Sequence, residues 1–170
     1  IKAFCAVAGY YRNVPEMKQK DPQGFEKQVQ QGVTARRKYQ ETGIVDVIPA
    51  VALPSTEGDA AMKLQSTYDY YAGRAMVDNY KNEFAVMSRE HFLRFNVQSA
   101  APGITMPFLQ VHGPNALNPK WAQEFFTNVP STNKDYHEIR SEGQTDIYDD
   151  PAIVHPVSIR IIEFVQTYGL

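Results

Sequence analysis

Met106-Pro107-Phe108-Leu109-Gln110-Val111-His112-Gly113 is a short apolar run that ends in a glycine turn, and Asn118-Pro119 then starts a helix through Trp121, Phe125 and Phe126. Strand, turn and helix follow in that order. Downstream, residues 135–140 read as a further strand and 141–150 as a polar loop. Pro156 then opens a terminal helix whose Val157, Ile161, Phe164 and Val165 make an apolar stripe. Upstream, the chain begins directly with Ile1-Lys2-Ala3-Phe4-Cys5-Ala6-Val7-Ala8. This run is too short for a signal peptide and meets Gly9-Tyr10-Tyr11-Arg12 where a small-residue cleavage site belongs. Its β-branched and aromatic members, closed by glycine, fit a central parallel strand covered on both faces. Short strands alternating with helices predict an α/β fold with a mostly parallel sheet.

Between these blocks the composition changes. Residues 14–54 are polar and charged, punctuated by Pro15, Pro22, Gly24, Gly32 and Gly43, as expected of a helical excursion from the sheet. Asp21-Pro22 is a helix start, with aspartate as cap and proline at the first helical position. The Arg36-Arg37-Lys38 cluster reads as a solvated helix end that complements the dipole, with an anion site as the alternative. Residues 44–53 are apolar, but Pro49 and Pro54 bar them from the middle of a sheet, so they read as an extended connection. Residues 56–71 read as a helix capped by Thr56 or Ser55, with Glu57 and Asp59 in its first turn and Gly73 at its end. Tyr68 and Tyr71, with Tyr10 after the first strand, are candidate substrate contacts; the alternative for the 68–71 cluster is half-burial at a domain seam.

Composition bounds the function. The 170 residues are 43% hydrophobic, enough for a real core, and 17 Lys+Arg against 19 Asp+Glu leave a net charge of -2. Without a broad positive field, a nucleic-acid partner is not expected. No apolar run approaches the roughly 20 residues of a membrane-spanning helix, so no membrane partner is expected either. Cys5, the single cysteine, suits a reducing cytoplasm. His91, His137 and His155 lack metal-ligand spacing, and nothing in the chain calls for a cofactor. There is no internal repeat.

Three stretches together resemble a known family: Pro107–Gly113, Asn115-Ala116-Leu117, and Asp146-Ile147-Tyr148-Asp149-Asp150-Pro151. They are similar to the C-terminal half of α/β-hydrolase-fold proteins of the dienelactone-hydrolase-like group, and Phe84-Ala85-Val86-Met87-Ser88-Arg89-Glu90 extends the likeness. The resemblance implies an α/β-hydrolase core from residues 1–13 and 74–170, with 14–73 as a helical cap. It makes residues 1–8 the strand after the nucleophile elbow, so the nucleophile comes from upstream of Ile1. It also puts the triad acid at Pro114 or Asn115 and the general base at Gln144, two residues before Asp146. Neither Pro114 nor Asn115 is charged, and glutamine cannot take a proton near neutral pH.

His112, at the C-terminal end of its strand, is the remaining candidate for acid-base work; otherwise it braces the loop. Asp146, Asp149 and Asp150 serve either as a carboxylate cluster or as caps for the last helix. Three readings follow: a hydrolase of an ester, lactone or related small organic substrate; a non-catalytic binding or structural protein on the same fold, with degenerate positions Asn115 and Gln144; or an enzyme built on His112. In every case the expected partners are a small molecule and, for the unpaired edge of the first strand, an N-terminal half of the fold or a second copy.

Overall fold

The computed structural model describes residues 1–168. In chain order its helices and strands are β1 (Phe4–Val7), α1 (Val14–Lys20), α2 (Pro22–Thr42), β2 (Val47–Ile48), α3 (Gln65–Asp69), β3 (Phe84–Ala85), α4 (Arg89–Arg94), β4 (Phe108–His112), α5 (Pro119–Asn128), β5 (Lys134–Glu138), α6 (Asp146–Asp149) and α7 (Pro151–Thr167). They fall into two compact units, Ile1–Asn13 with the chain from Asn96 onward, and Val14–Phe95. No helix among the described residues is long and apolar enough to cross a membrane.

The first unit is built on a parallel sheet in the order β1-β4-β5, with Val7 opposite Val111 and His112 opposite Glu138. All five residues of β4 are buried, as a strand flanked and covered on both faces must be. Successive side chains alternate between those faces. Leu109 and Val111 join Ile139, Ile147, Ile153, Val157 and Phe164 in one apolar cluster, which seats α7 on the sheet. Phe108 faces the other way, its ring 6.2 Å from those of Phe125 and Phe126 on α5. Gln110, fully buried on that face, donates from Nε2 to the Ala122 carbonyl at 2.7 Å.

Among the described residues β4 is the strand paired on both edges, while β1 pairs with β4 and leaves Phe4 41% exposed. One expectation for this unit is corrected. The terminal helix starts at Pro151, not Pro156, because Asp150 Oδ1 accepts from Ala152 N at 2.9 Å and caps it. Pro156 lies inside α7, which forgoes a backbone bond there while the stripe from Ile153 to Phe164 is buried.

In the second unit α2 is capped as its Asp21-Pro22 start predicts, with Asp21 Oδ1 accepting from Gly24 N at 2.9 Å. Phe25 and Val29 of α2 pack with Val14 and Leu93. Gly32 lets α4 approach so closely that a Cβ there would lie 2.4 Å from the Glu90 amide nitrogen. Arg36 Nε clasps Glu90 Oε2 at 2.5 Å beside that contact. α4 packs on α2 within this unit, which runs to Phe95. β2 and β3 form a two-residue antiparallel ladder within an otherwise extended connection.

The helix expected over 56–71 is mostly not formed. Only Gln65–Asp69 is α-helical, followed by a π-helical turn over Tyr70–Arg74. Gly58 takes a left-handed φ of 84° and Asp59 is drawn to Arg89, so the supposed first turn is instead part of a loop.

Candidate functional site

Open α/β sheets carry their sites at the C-terminal ends of the strands. Here three turns meet at that edge, after β1, β4 and β5. The turn after β4 lies against the end of β5: Ile139 N donates to the His112 carbonyl at 3.1 Å, and Asn115 Nδ2 to the Ser141 carbonyl at 2.9 Å. Only glycine fits at 113, since a Cβ would stand 2.8 Å from the Ile139 carbonyl oxygen.

Gln144 ties all three turns together. Its Nε2 donates to the Ala8 carbonyl at 2.5 Å and to the Tyr148 hydroxyl at 2.8 Å, and its Oε1 accepts from Leu117 N at 3.0 Å. The side chain is buried with its amide spent on both sides. Ala8, in turn, is held in the left-handed region at φ 49°, a conformation that costs alanine on the order of 1–2 kcal/mol. The Ala8 N to Val111 O bond at 2.9 Å and the Gln144 bond fix it there.

His112 is fully buried beside the Tyr11 ring, with centroids 5.7 Å apart. Its Nδ1 lies 3.0 Å from the Gly113 carbonyl oxygen, which accepts from it. Nε2 has no hydrogen-bond partner in the protein. Burial lowers the His112 pKa, against weaker support for the charged form from nearby backbone carbonyls, and the ring is neutral at pH 7. Among the described residues no carboxylate hydrogen-bonds it.

Asp146 opens α6 and accepts from Gly143 N at 3.0 Å. With Pro114, Asn115, Arg140, Glu142 and Asp150 it lines a cleft of about 560 Å³ at this edge. The geometry therefore brings Asn115 and Asp146 to one cleft, with Gln144 as a buried brace and His112 sealed in the sheet. Tyr10 lies elsewhere in the unit, 38% exposed, its ring 6.2 Å from Trp121, on an apolar cleft of about 430 Å³ shared with Phe4, Tyr11 and Phe125. Tyr68 and Tyr71 belong to the second unit and are half-buried. Cys5 packs against the α7 side of the core, and burial pushes its thiol pKa up, so it is a small apolar side chain and not a thiolate.

Sequence reasoning missed two participants in the edge. Ser141 is buried in the cleft wall with its hydroxyl unpartnered, and the Ala8 carbonyl anchors Gln144. Neither carries a local signal: a serine in a polar loop is unremarked, and a backbone carbonyl has no letter of its own.

The chain is similar in fold to solved structures. DcsB, solved in complex with its substrate analogue, matches with a TM-score of 0.69 at 16% identity, over 99% of this chain and 57% of DcsB. The α/β hydrolase GrgF from Penicillium sp. sh18 matches with a TM-score of 0.69 at 14% identity, over 99% of this chain and 56% of its own. The fold is that of the α/β-hydrolases. Monoacylglycerol lipase from Paleococcus ferrophilus agrees, with a TM-score of 0.59 at 14% identity, over 99% of this chain and 60% of the lipase. The chain thus spans between half and two thirds of the length of these α/β-hydrolase-fold proteins. Identities this low carry the fold and not the chemistry. No protein-family model matches the chain, and no curated protein matches its sequence.

Proposed function

We propose that the chain is part of a cytoplasmic α/β-hydrolase-type enzyme acting on a small ester, lactone or related organic substrate, with the nucleophile contributed by polypeptide outside residues 1–170. On this reading it is the C-terminal half of a dienelactone-hydrolase-like protein, with residues 14–73 as its cap. The observation that supports it is the convergence at Gln144: turns after three parallel strands are tied by one buried amide at the edge where this fold places its chemistry. Its three hydrogen bonds make Gln144 a positioning residue. It holds the Ala8 and Leu117 backbones in place but takes no proton. Tyr10 and the apolar cleft beside it would contact the organic part of the substrate.

The same bonds favour a second reading, a ligand-binding protein with no hydrolytic step, since neither Asn115 nor Gln144 can perform the acid or base role of a triad. The test is to assay the complete gene product with p-nitrophenyl acetate and a small enol lactone, alongside labelling by a fluorophosphonate and an iodoacetamide probe. Turnover with labelling outside residues 1–170 supports the hydrolase. Absence of turnover and labelling, with an ester still bound, establishes the second reading instead.

A further inference from the structure

In the second unit, residues 51–62 form a loop whose ends are pinned together. Met62 N donates to the Ala50 carbonyl at 3.0 Å and Ala52 N to the Met62 carbonyl at 2.9 Å, while the Asn82 amide holds Val51 at both its N–H and its carbonyl. Val51 and Ala52 at the base are buried, whereas every side chain from Pro54 to Asp59 is exposed. Lys63 Nζ stiffens the tip from within, donating to the Thr56 carbonyl at 2.6 Å and the Gly58 carbonyl at 3.0 Å. One ion pair fastens the tip to the helices. Asp59 accepts from Arg89 Nη1 at 2.7 Å and from Nη2 at 2.9 Å, and Gln31 Oε1 accepts from Nη1 at 2.7 Å.

The two partners are unequal. Asp59 is half exposed on an irregular loop, but the Arg89 side chain is only 6% exposed and cannot follow it into water. A buried guanidinium left without an anion is costly, so Arg89 needs a carboxylate whether or not the loop supplies it. Asp59 also stands between two clefts along α2, of about 540 and 370 Å³, both lined by Lys27 and Gln31. The larger offers Ala35, Ile48 and Val86 to an apolar body. Asp46 lies on its wall, paired to Lys38 at 2.5 Å, and opposes a second negative charge on a ligand.

We propose that Arg89 is the anchor of a site for a small organic monocarboxylate, that Asp59 is its resident and displaceable occupant, and that residues 51–62 are the strap this pair latches. The fork of Arg89 already shows the bidentate geometry such a ligand adopts. The resident carboxylate competes at the high effective concentration of a short tether, and removing it unmasks the site.

The test compares the wild-type chain with Asp59→Asn and Asp59→Glu, using sodium benzoate as probe. Hydrogen exchange of residues 53–61 is expected to quicken about tenfold in Asp59→Asn with α2 and α4 unchanged, and Asp59→Glu to restore protection. Calorimetric benzoate affinity is expected to rise about tenfold in Asp59→Asn and to fall again in Asp59→Asn with Arg89→Lys. Unchanged exchange in Asp59→Asn overturns the strap. Equal benzoate affinity in wild type and Asp59→Asn overturns the site.

Discussion

Gln144, which the family resemblance marks as a base position, does structural work in the fold. The sequence resemblance locates the position, and the side chain's chemistry excludes a base; that it braces Ala8, Leu117 and Tyr148 depends on atoms up to 136 residues away, which no local pattern encodes. Gln144→Ala strands the buried Ala8 carbonyl and the Leu117 N–H, and is expected to cost roughly 2–4 kcal/mol, read from the denaturant midpoint. His112 illustrates the same divide. Its place at the end of a strand is legible, its complete burial is not. Because burial lowers its pKa in the folded state, the unfolded chain binds the proton more readily, so stability is fully present above the unfolded value of about 6.5 and declines as pH falls below it. His112→Asn is expected to abolish that part of the pH dependence between pH 7 and 5, as followed by chemical denaturation.

Elements whose signals are local were read well. α2 and α5 start at their Asp-Pro and Asn-Pro dipeptides, and β4 follows its apolar run closed by glycine. The failures have a common cause. Residues 56–64 carry good caps for a helix, yet Asp59 pairs with Arg89, 30 residues away, and Gly58 takes a left-handed turn beside it. Pro156 is a start signal that lies inside α7, because the apolar stripe continues to Ile153 and an aspartate cap already stands at 150. Tertiary contact also explains Gly32, which in sequence is a helix weakener. Gly32→Ala drives a methyl into the α4 backbone and is expected to destabilise by about 1–3 kcal/mol despite alanine's better helix propensity, read as a lowered unfolding midpoint.

At the scale of the molecule, β1 has a strand partner on one edge only among the described residues, and beside it lies a cleft lined by Phe4, Ala6, Tyr11 and Phe125. An apolar parallel edge recruits another chain. Residues 1–170 purified alone are expected to elute as a self-associated species in size-exclusion chromatography and to enhance an apolar dye's fluorescence; a monodisperse, dye-silent monomer at micromolar concentration is the contrary result. The alternation of strand and helix, the turn chemistry and the charge balance were determined by sequence, because they rest on periodicities and dipeptides that act within a few residues. The order β1-β4-β5, the sealing of His112, the brace at Gln144 and the capture of Asp59 by Arg89 were decided only by the tertiary structure. Each depends on contacts between groups far apart in the chain, where burial and hydrogen-bond satisfaction outweigh local preference.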